Sequence, residues 1–149
     1  GMMGGYFTYN DIIQIHAFLS KKFPAFVSPI DSIGKTYEGT PMPHFKVGLK
    51  NNIPTRQKKS SILFSALHHS PEPTSLSTLM AVVFDALKNL HQKKNWLYEF
   101  TDLDFIPIVN VDSYKLINAA WGTVNWGKTY MVRKNRNNKT MPCPNDPLG

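Results

Sequence analysis

One stretch constrains this chain more than any other: an apolar run that closes directly on imidazoles and a carboxylate. Ile62 to Leu67 has the length and character of a buried β-strand. It ends in His68-His69, a turn follows at Ser70-Pro71, and Glu72 stands three residues after His69. Pro73 then leads into a long amphipathic pattern. Open α/β sheets place their chemistry at the carboxyl ends of strands, so this turn is the first place to look for a site.

His69-x-x-Glu72 is a chemically sensible pair of zinc ligands. Zinc takes nitrogen from neutral imidazole and oxygen from carboxylate, and catalytic sites combine three protein ligands with an open water position. The short spacing lets one turn deliver both groups to one ion. From the residues alone, a polar turn carrying a surface glutamate is the plain alternative.

The surrounding pattern predicts a mixed α/β fold. Tyr9 to Phe23 reads as a helix, with Ile12, Ile13, Ile15, Phe18, Leu19 and Phe23 at near-helical spacing, Asn10 or Asp11 as the cap, and Pro24 as the stop. His16 lies inside it and reads as a structural or surface residue. Phe26 to Ile33 reads as a strand, with Pro29 favouring an edge. Gly34 to Gly39 reads as a hairpin connection, and Pro43 to Leu49 as the returning antiparallel strand. His44 falls on its polar phase, which predicts solvent exposure. Lys50 to Ser60 is a polar, basic loop. Thr74 to His91 carries Leu76, Leu79, Met80, Val83, Phe84, Leu87 and Leu90 as a core-facing helical stripe. Trp96 to Asp104 connects it to a buried strand, Phe105 to Val109, with Asn110 and Asp112 just beyond. Strand, helix and strand in this order make a βαβ unit with parallel strands, the Ile62–Leu67 strand being central. Tyr114 to Trp121 reads as a short helix, and Gly122 and Gly127 as loop.

The bulk properties narrow the classes. At 149 residues, with 42% hydrophobic and 12% aromatic residues, the chain is one globular domain by length. No apolar run approaches the roughly 20 residues of a membrane span, and the opening GMMGGYFTYND lacks the order of a signal peptide. The net charge of +7 raises a nucleic-acid partner. Its basic residues are scattered, however, and only Arg133 to Lys139 forms a cluster, so solvated surface without nucleic acid is the reading. Cys143 is the only cysteine, which excludes an intrachain disulfide and a cysteine-based metal cluster. The compartment stays open between secreted and cytosolic.

Several motifs now fall in one order. Ile33-Gly34-Lys35-Thr36-Tyr37-Glu38-Gly39 is similar to an Ile-Gly-x-Ser-x-Glu-Gly turn. His69-Ser70-Pro71-Glu72 is similar to His-x-x-Glu after a buried strand. Asn110-Val111-Asp112-Ser113-Tyr114 is similar to Asn-Pro-Asp-Gly-Tyr, and Arg133-Lys134-Asn135-Arg136 to Arg-Lys-x-Arg. With the opening helix and Pro24, the chain from Tyr9 to Gly149 resembles the N-terminal half of a zinc carboxypeptidase of the funnelin (carboxypeptidase A/B) family.

The resemblance implies a phosphorylase/hydrolase-like mixed parallel/antiparallel twisted sheet with flanking helices, and residues 1–149 as the N-terminal part of one catalytic domain. It implies hydrolysis of C-terminal peptide bonds with Zn2+ as cofactor, peptide or protein C-termini as substrates, and the rest of the same domain as partner. His69 and Glu72 match two zinc ligands, and Arg133 matches the arginine that polarises the scissile carbonyl. Lys134 and Arg136 read as structural or surface residues. The chain departs from the pattern at Pro71, where the family carries Arg, and at Ser113, where it carries Gly. Pro147-Leu148-Gly149 resembles the approach to the family's Gly-Val-Asp-x-Asn-Arg-Asn motif. The carboxylate-gripping Asn-Arg pair, third zinc ligand, lid tyrosine and general base are therefore expected outside the chain, which would be inactive alone. His68 does not replace them, because strand alternation would turn it away from His69; Glu38 and Glu99 lie in segments the family does not use. A non-catalytic carboxypeptidase-like module that binds peptide ends or a partner protein is the alternative reading.

Overall fold

A computed structural model of the chain describes residues 3–49, 59–93, 97–98 and 100–137. Most of the Lys50 to Ser60 loop, Glu99, Cys143 and the Pro147 to Gly149 segment lie outside the described residues.

Helix α1 spans Tyr9–Lys22. Its cap is Thr8, not Asn10 or Asp11: the Thr8 hydroxyl accepts from the Asp11 amide at 3.1 Å, and the Asp11 carboxylate accepts from the Thr8 amide at 2.8 Å. This reciprocal pair satisfies two orphan donors of the first turn. Ile12, His16 and Leu19 form the buried stripe, while Phe18, expected there, is exposed.

Strand β1 is Asp31–Lys35 and β2 is Pro41–Val47. The single strand expected from Phe26 to Ile33 is thus split. Val27 and Ser28 pair briefly with the Val47 end of β2, and pairing resumes at Asp31 opposite His44. Pro29 sits in the gap, where it has no N–H to give a ladder. The antiparallel hairpin is as expected, and its turn relies on Gly39 at φ +81°.

Strand β3, Ser60–Ser65, leads through the site turn into α2, Pro73–His91, and β4 follows at Thr101–Ile106. β3 and β4 run parallel in register from Ser60↔Thr101 to Ser65↔Ile106, which is the βαβ unit. β4 begins four residues before the expected Phe105. Asp102 and Asp104 alternate with Leu103 and Phe105 and disguise the strand as polar connection. The stripe of α2 buries Leu76, Leu79, Met80, Val83, Leu87 and Leu90 as expected, but Phe84 is half-exposed. At about 100° per residue it lies about 100° around the helix from the stripe's centre. Helices α3, Val111–Ala120, and α4, Trp126–Thr129, complete the order. α3 starts three residues before the expected Tyr114, and α4 occupies what read as loop around Gly127.

The sheet order is β1-β2-β4-β3, with β2 antiparallel to both neighbours. β3 is therefore an outer strand of this sheet rather than a central one, and Ile62 and Leu63 are 44% and 59% exposed. One face carries Phe45, Phe105 and Phe64, whose rings stack at 5.4 Å between successive centroids. The helices cover this face: the His16 ring of α1 lies 4.8 Å from Phe45. The other face carries a polar cluster beside Leu63 and Ile106. Asp104 there accepts from His44 at 2.7 Å, sits 3.4 Å from the Lys46 ammonium, and accepts from Ser61 Oγ. His44 is thus half-buried and bonded instead of simply solvated.

Candidate functional site

The site is built where β3 and β4 end side by side. The Ala66 amide bonds the Ile106 carbonyl, and the Val109 and Asn110 amides bond the Ala66 and Leu67 carbonyls. The two strand ends are thereby held together past the point where regular pairing stops. Leu67 is fully buried and takes a left-handed backbone, φ +50°, which is costly for a branched residue and concentrates at functional turns. Its amide bonds Ser75 Oγ at 3.1 Å, which ties the turn to the first residues of α2.

This turn breaks the strand alternation. His68 and His69 both contribute atoms to the lining of one cleft. His68 Nε2 lies 3.3 Å from Ser65 Oγ, so it has a partner of its own. The cleft measures about 660 Å³ and is lined also by Val109, Asn110, Arg133, Lys134 and Asn135.

Glu72 is the N-cap residue of α2 and uses its two oxygens in different directions. Oε2 lies 3.4 Å from His69 Nδ1, and Oε1 accepts from Arg133 Nη1 at 2.5 Å. The Arg133 guanidinium holds the Glu72 carboxyl below the usual carboxylate range, with His69 adding to the effect. A carboxylate at a helix N-terminus also suits the dipole. His69, Glu72 and Arg133, separated by up to 64 residues of sequence, are therefore one exposed constellation.

The donor set can be tested against zinc. Two ligands on a tetrahedral ion with bonds of about 2.0–2.1 Å stand about 3.3 Å apart, and His69 Nδ1 and Glu72 Oε2 are 3.4 Å apart. Neutral imidazole nitrogen and carboxylate oxygen are both zinc donors, so the pair fits. Among the described residues no third His, Cys, Asp or Glu joins them in a metal-binding group.

Around the constellation lies a set of ties that spacing did not reveal. Asp112 is buried and accepts from Thr36 Oγ1 at 2.5 Å and from the Glu38 amide at 3.0 Å. Arg136 Nε donates to Glu38 at 2.9 Å. The motifs singled out at Thr36–Gly39, Asn110–Tyr114 and Arg133–Arg136 thus meet in space.

Residues 12–146 match the zinc carboxypeptidase (peptidase M14) family. The chain is 26% identical over 139 residues to the inactive metallocarboxypeptidase ECM14 of Saccharomyces cerevisiae, covering 90% of this chain and 30% of that protein. It is 29% identical over 143 residues to the protein of the same name from Paracoccidioides brasiliensis, covering 93% and 22%. Among solved structures, carboxypeptidase A from Helicoverpa armigera superposes with a TM-score of 0.70 at 20% identity, over 91% of this chain and 30% of that one. Thrombin-activatable fibrinolysis inhibitor superposes with a TM-score of 0.67 at 25% identity, over 89% and 30%. The chain thus spans less than a third of the length of each of these four proteins.

Proposed function

The chain belongs to the zinc carboxypeptidase family, and on that premise we propose that residues 1–149 form the N-terminal part of a peptidase domain acting on C-terminal peptide bonds. His69 and Glu72 would hold the zinc, and Arg133 would bind the carbonyl of the scissile bond. The observation that carries this reading is the meeting of the three side chains through Glu72, which is within bonding reach of Arg133 and close to His69.

When bound, zinc supplies Lewis-acid polarisation and a water of lowered pKa. The residues of this chain do the holding and orienting. Glu72 presents Oε2 toward His69 while Oε1 keeps the Arg133 guanidinium beside it. That guanidinium is always charged and offers a rigid fork of donors, suited to an oxygen that gains negative charge. Arg133 therefore stabilises the oxyanion, and its ion pair sets where that oxyanion can sit. The third ligand and the general base come from the rest of the domain, which is the partner proposed for this chain. The outer edge of β3 and the polar cluster around Asp104 are surfaces such a partner would cover.

A second reading, binding of peptide ends without cleavage, is favoured by one finding: the relatives from S. cerevisiae and P. brasiliensis are both named inactive.

Zinc titration of the purified chain, followed by NMR of its five histidines, tests the site. The His69 resonances should respond at lower zinc than the other four, and His69→Ala or Glu72→Gln should abolish the selective response. Elemental analysis after dialysis reports what is retained. A response spread evenly over the histidines overturns the metal assignment. Joined to the rest of its domain, the chain should release C-terminal residues from a peptide; binding without release would establish the second reading.

A further inference from the structure

We propose that Ser70, Asn110 and Ser113 form a carbonyl clamp that positions Arg133 in the site. The inference rests on the reading of Arg133 just given, and it assigns roles to three residues outside the ligand set. The backbone around Arg133 has no regular structure to hold it: residues 132–137 lie in no helix or strand. Yet three consecutive carbonyls there each accept a side-chain hydrogen bond from a different part of the fold. Ser70 Oγ donates to the Val132 carbonyl. Asn110 Nδ2 donates to the Arg133 carbonyl at 3.1 Å, and Ser113 Oγ donates to the Lys134 carbonyl at 2.5 Å.

The donors are well placed to be rigid. Ser70 and Ser113 are fully buried and Asn110 nearly so, whereas the Arg133 side chain is 55% exposed. Each donor also belongs to an element that builds the site. Ser70 lies in the turn between His69 and Glu72. Asn110 is itself bonded to the Leu67 carbonyl through its amide. Ser113 sits in the first turn of α3, next to Asp112, which holds the Thr36–Gly39 turn. Arg133 is thus fixed at both ends, its backbone by the clamp and its guanidinium by Glu72. A long side chain with several free rotors needs such support to hold one geometry. A glycine at position 113, as in the resembled motif, has no hydroxyl to donate, so this chain carries one tie that a glycine cannot provide.

The clamp can be tested on the 149-residue chain by backbone 15N relaxation and the side-chain guanidinium spectrum. Amides of residues 132–135 should show order parameters near about 0.85 in the parent chain and fall below about 0.6 in Ser70→Ala/Ser113→Gly. The Arg133 Nε resonance should broaden or move with them. Ser113→Thr should retain the parent spectrum, and Ser77→Ala, a control in α2, should leave residues 132–135 unmoved. If the double variant does not fold, Ser113→Gly alone carries the same readout at residues 133–135. Unchanged order in the clamp variants, or equal loss in the Ser77→Ala control, overturns the proposal. Glu72→Gln separates this from the site itself. It should shift the Arg133 guanidinium without loosening the backbone of residues 132–135. If it leaves the guanidinium unmoved, the pairing at the site fails while the backbone order still decides the clamp.

Discussion

Tyr114 shows how much one side chain can carry in a chain of this size. It is fully buried, its hydroxyl donates to the Phe7 carbonyl, and burial pushes its phenol up to about 12. Removing the hydroxyl leaves that carbonyl without its donor, at a cost of about 1–3 kcal/mol. Tyr114→Phe should therefore lower the urea midpoint with little change in slope, and one of the six tyrosines should disappear from the late end of an absorbance titration. The Asn110–Tyr114 motif was legible in sequence. What its members hold was not, because hydrogen bonds to Phe7, Arg133 and Lys134 span up to 107 residues and leave no local periodicity. Leu67 makes the same point from the other side. It is buried with φ +50°, and nothing in an apolar run announces such a break.

At the scale of elements, local chemistry set α1 firmly and the strands less so. The Thr8–Asp11 box is a spacing of three visible in sequence, yet Asn10 and Asp11 offered competing caps; the reciprocal bonds choose Thr8. Thr8→Ala should cost about 1 kcal/mol, read as a fall in thermal midpoint, and Asn10→Ala should cost far less. β3 was legible as a strand but not as an outer one. Order in a sheet depends on which strands pair, and β2 rather than a later strand lies beside β4. Among the described residues no strand lies beyond β3, and an outer strand with Ile62 and Leu63 exposed is a place where other chains can pair. Leu63→Lys should reduce concentration-dependent association in sedimentation velocity, with little effect on the midpoint of unfolding. Equal association in the variant would place the sticky surface elsewhere.

At the scale of the whole molecule, His16 links protonation to folding. It is buried against Phe45 and, as a neutral ring, donates Nε2–H to the Ser28 carbonyl. Burial lowers its pKa from the ordinary 6.5, against the smaller opposing effect of that bond. Because the folded value lies below the unfolded one, the contribution is fully present above pH 6.5 and is lost as pH falls from there through the folded value. Global stability should decline over that window in denaturant titrations at stepped pH, and His16→Gln should flatten that part of the profile. A second, more acidic loss belongs to Asp104. Burial disfavours its charged form, but bonds from Ser61 and His44 and the Lys46 ammonium outweigh this and hold its carboxyl below the ordinary 3.8. Its stabilisation is therefore present at neutral pH and lost only in acid.

By itself the sequence determined the three longer helices, the antiparallel hairpin, the βαβ unit, the site turn and the family resemblance, because each is written in residue spacing over a few to about twenty positions. His69 and Glu72 could be singled out as candidate ligands for the same reason, sitting on one turn. Tertiary structure alone decided that Arg133 reaches Glu72, that β3 lies outermost, that His44 meets Asp104, and that three buried donors hold the carbonyls of residues 132–134. Those outcomes depend on contacts between segments far apart in the chain, and such contacts are fixed only when packing brings the segments to one place.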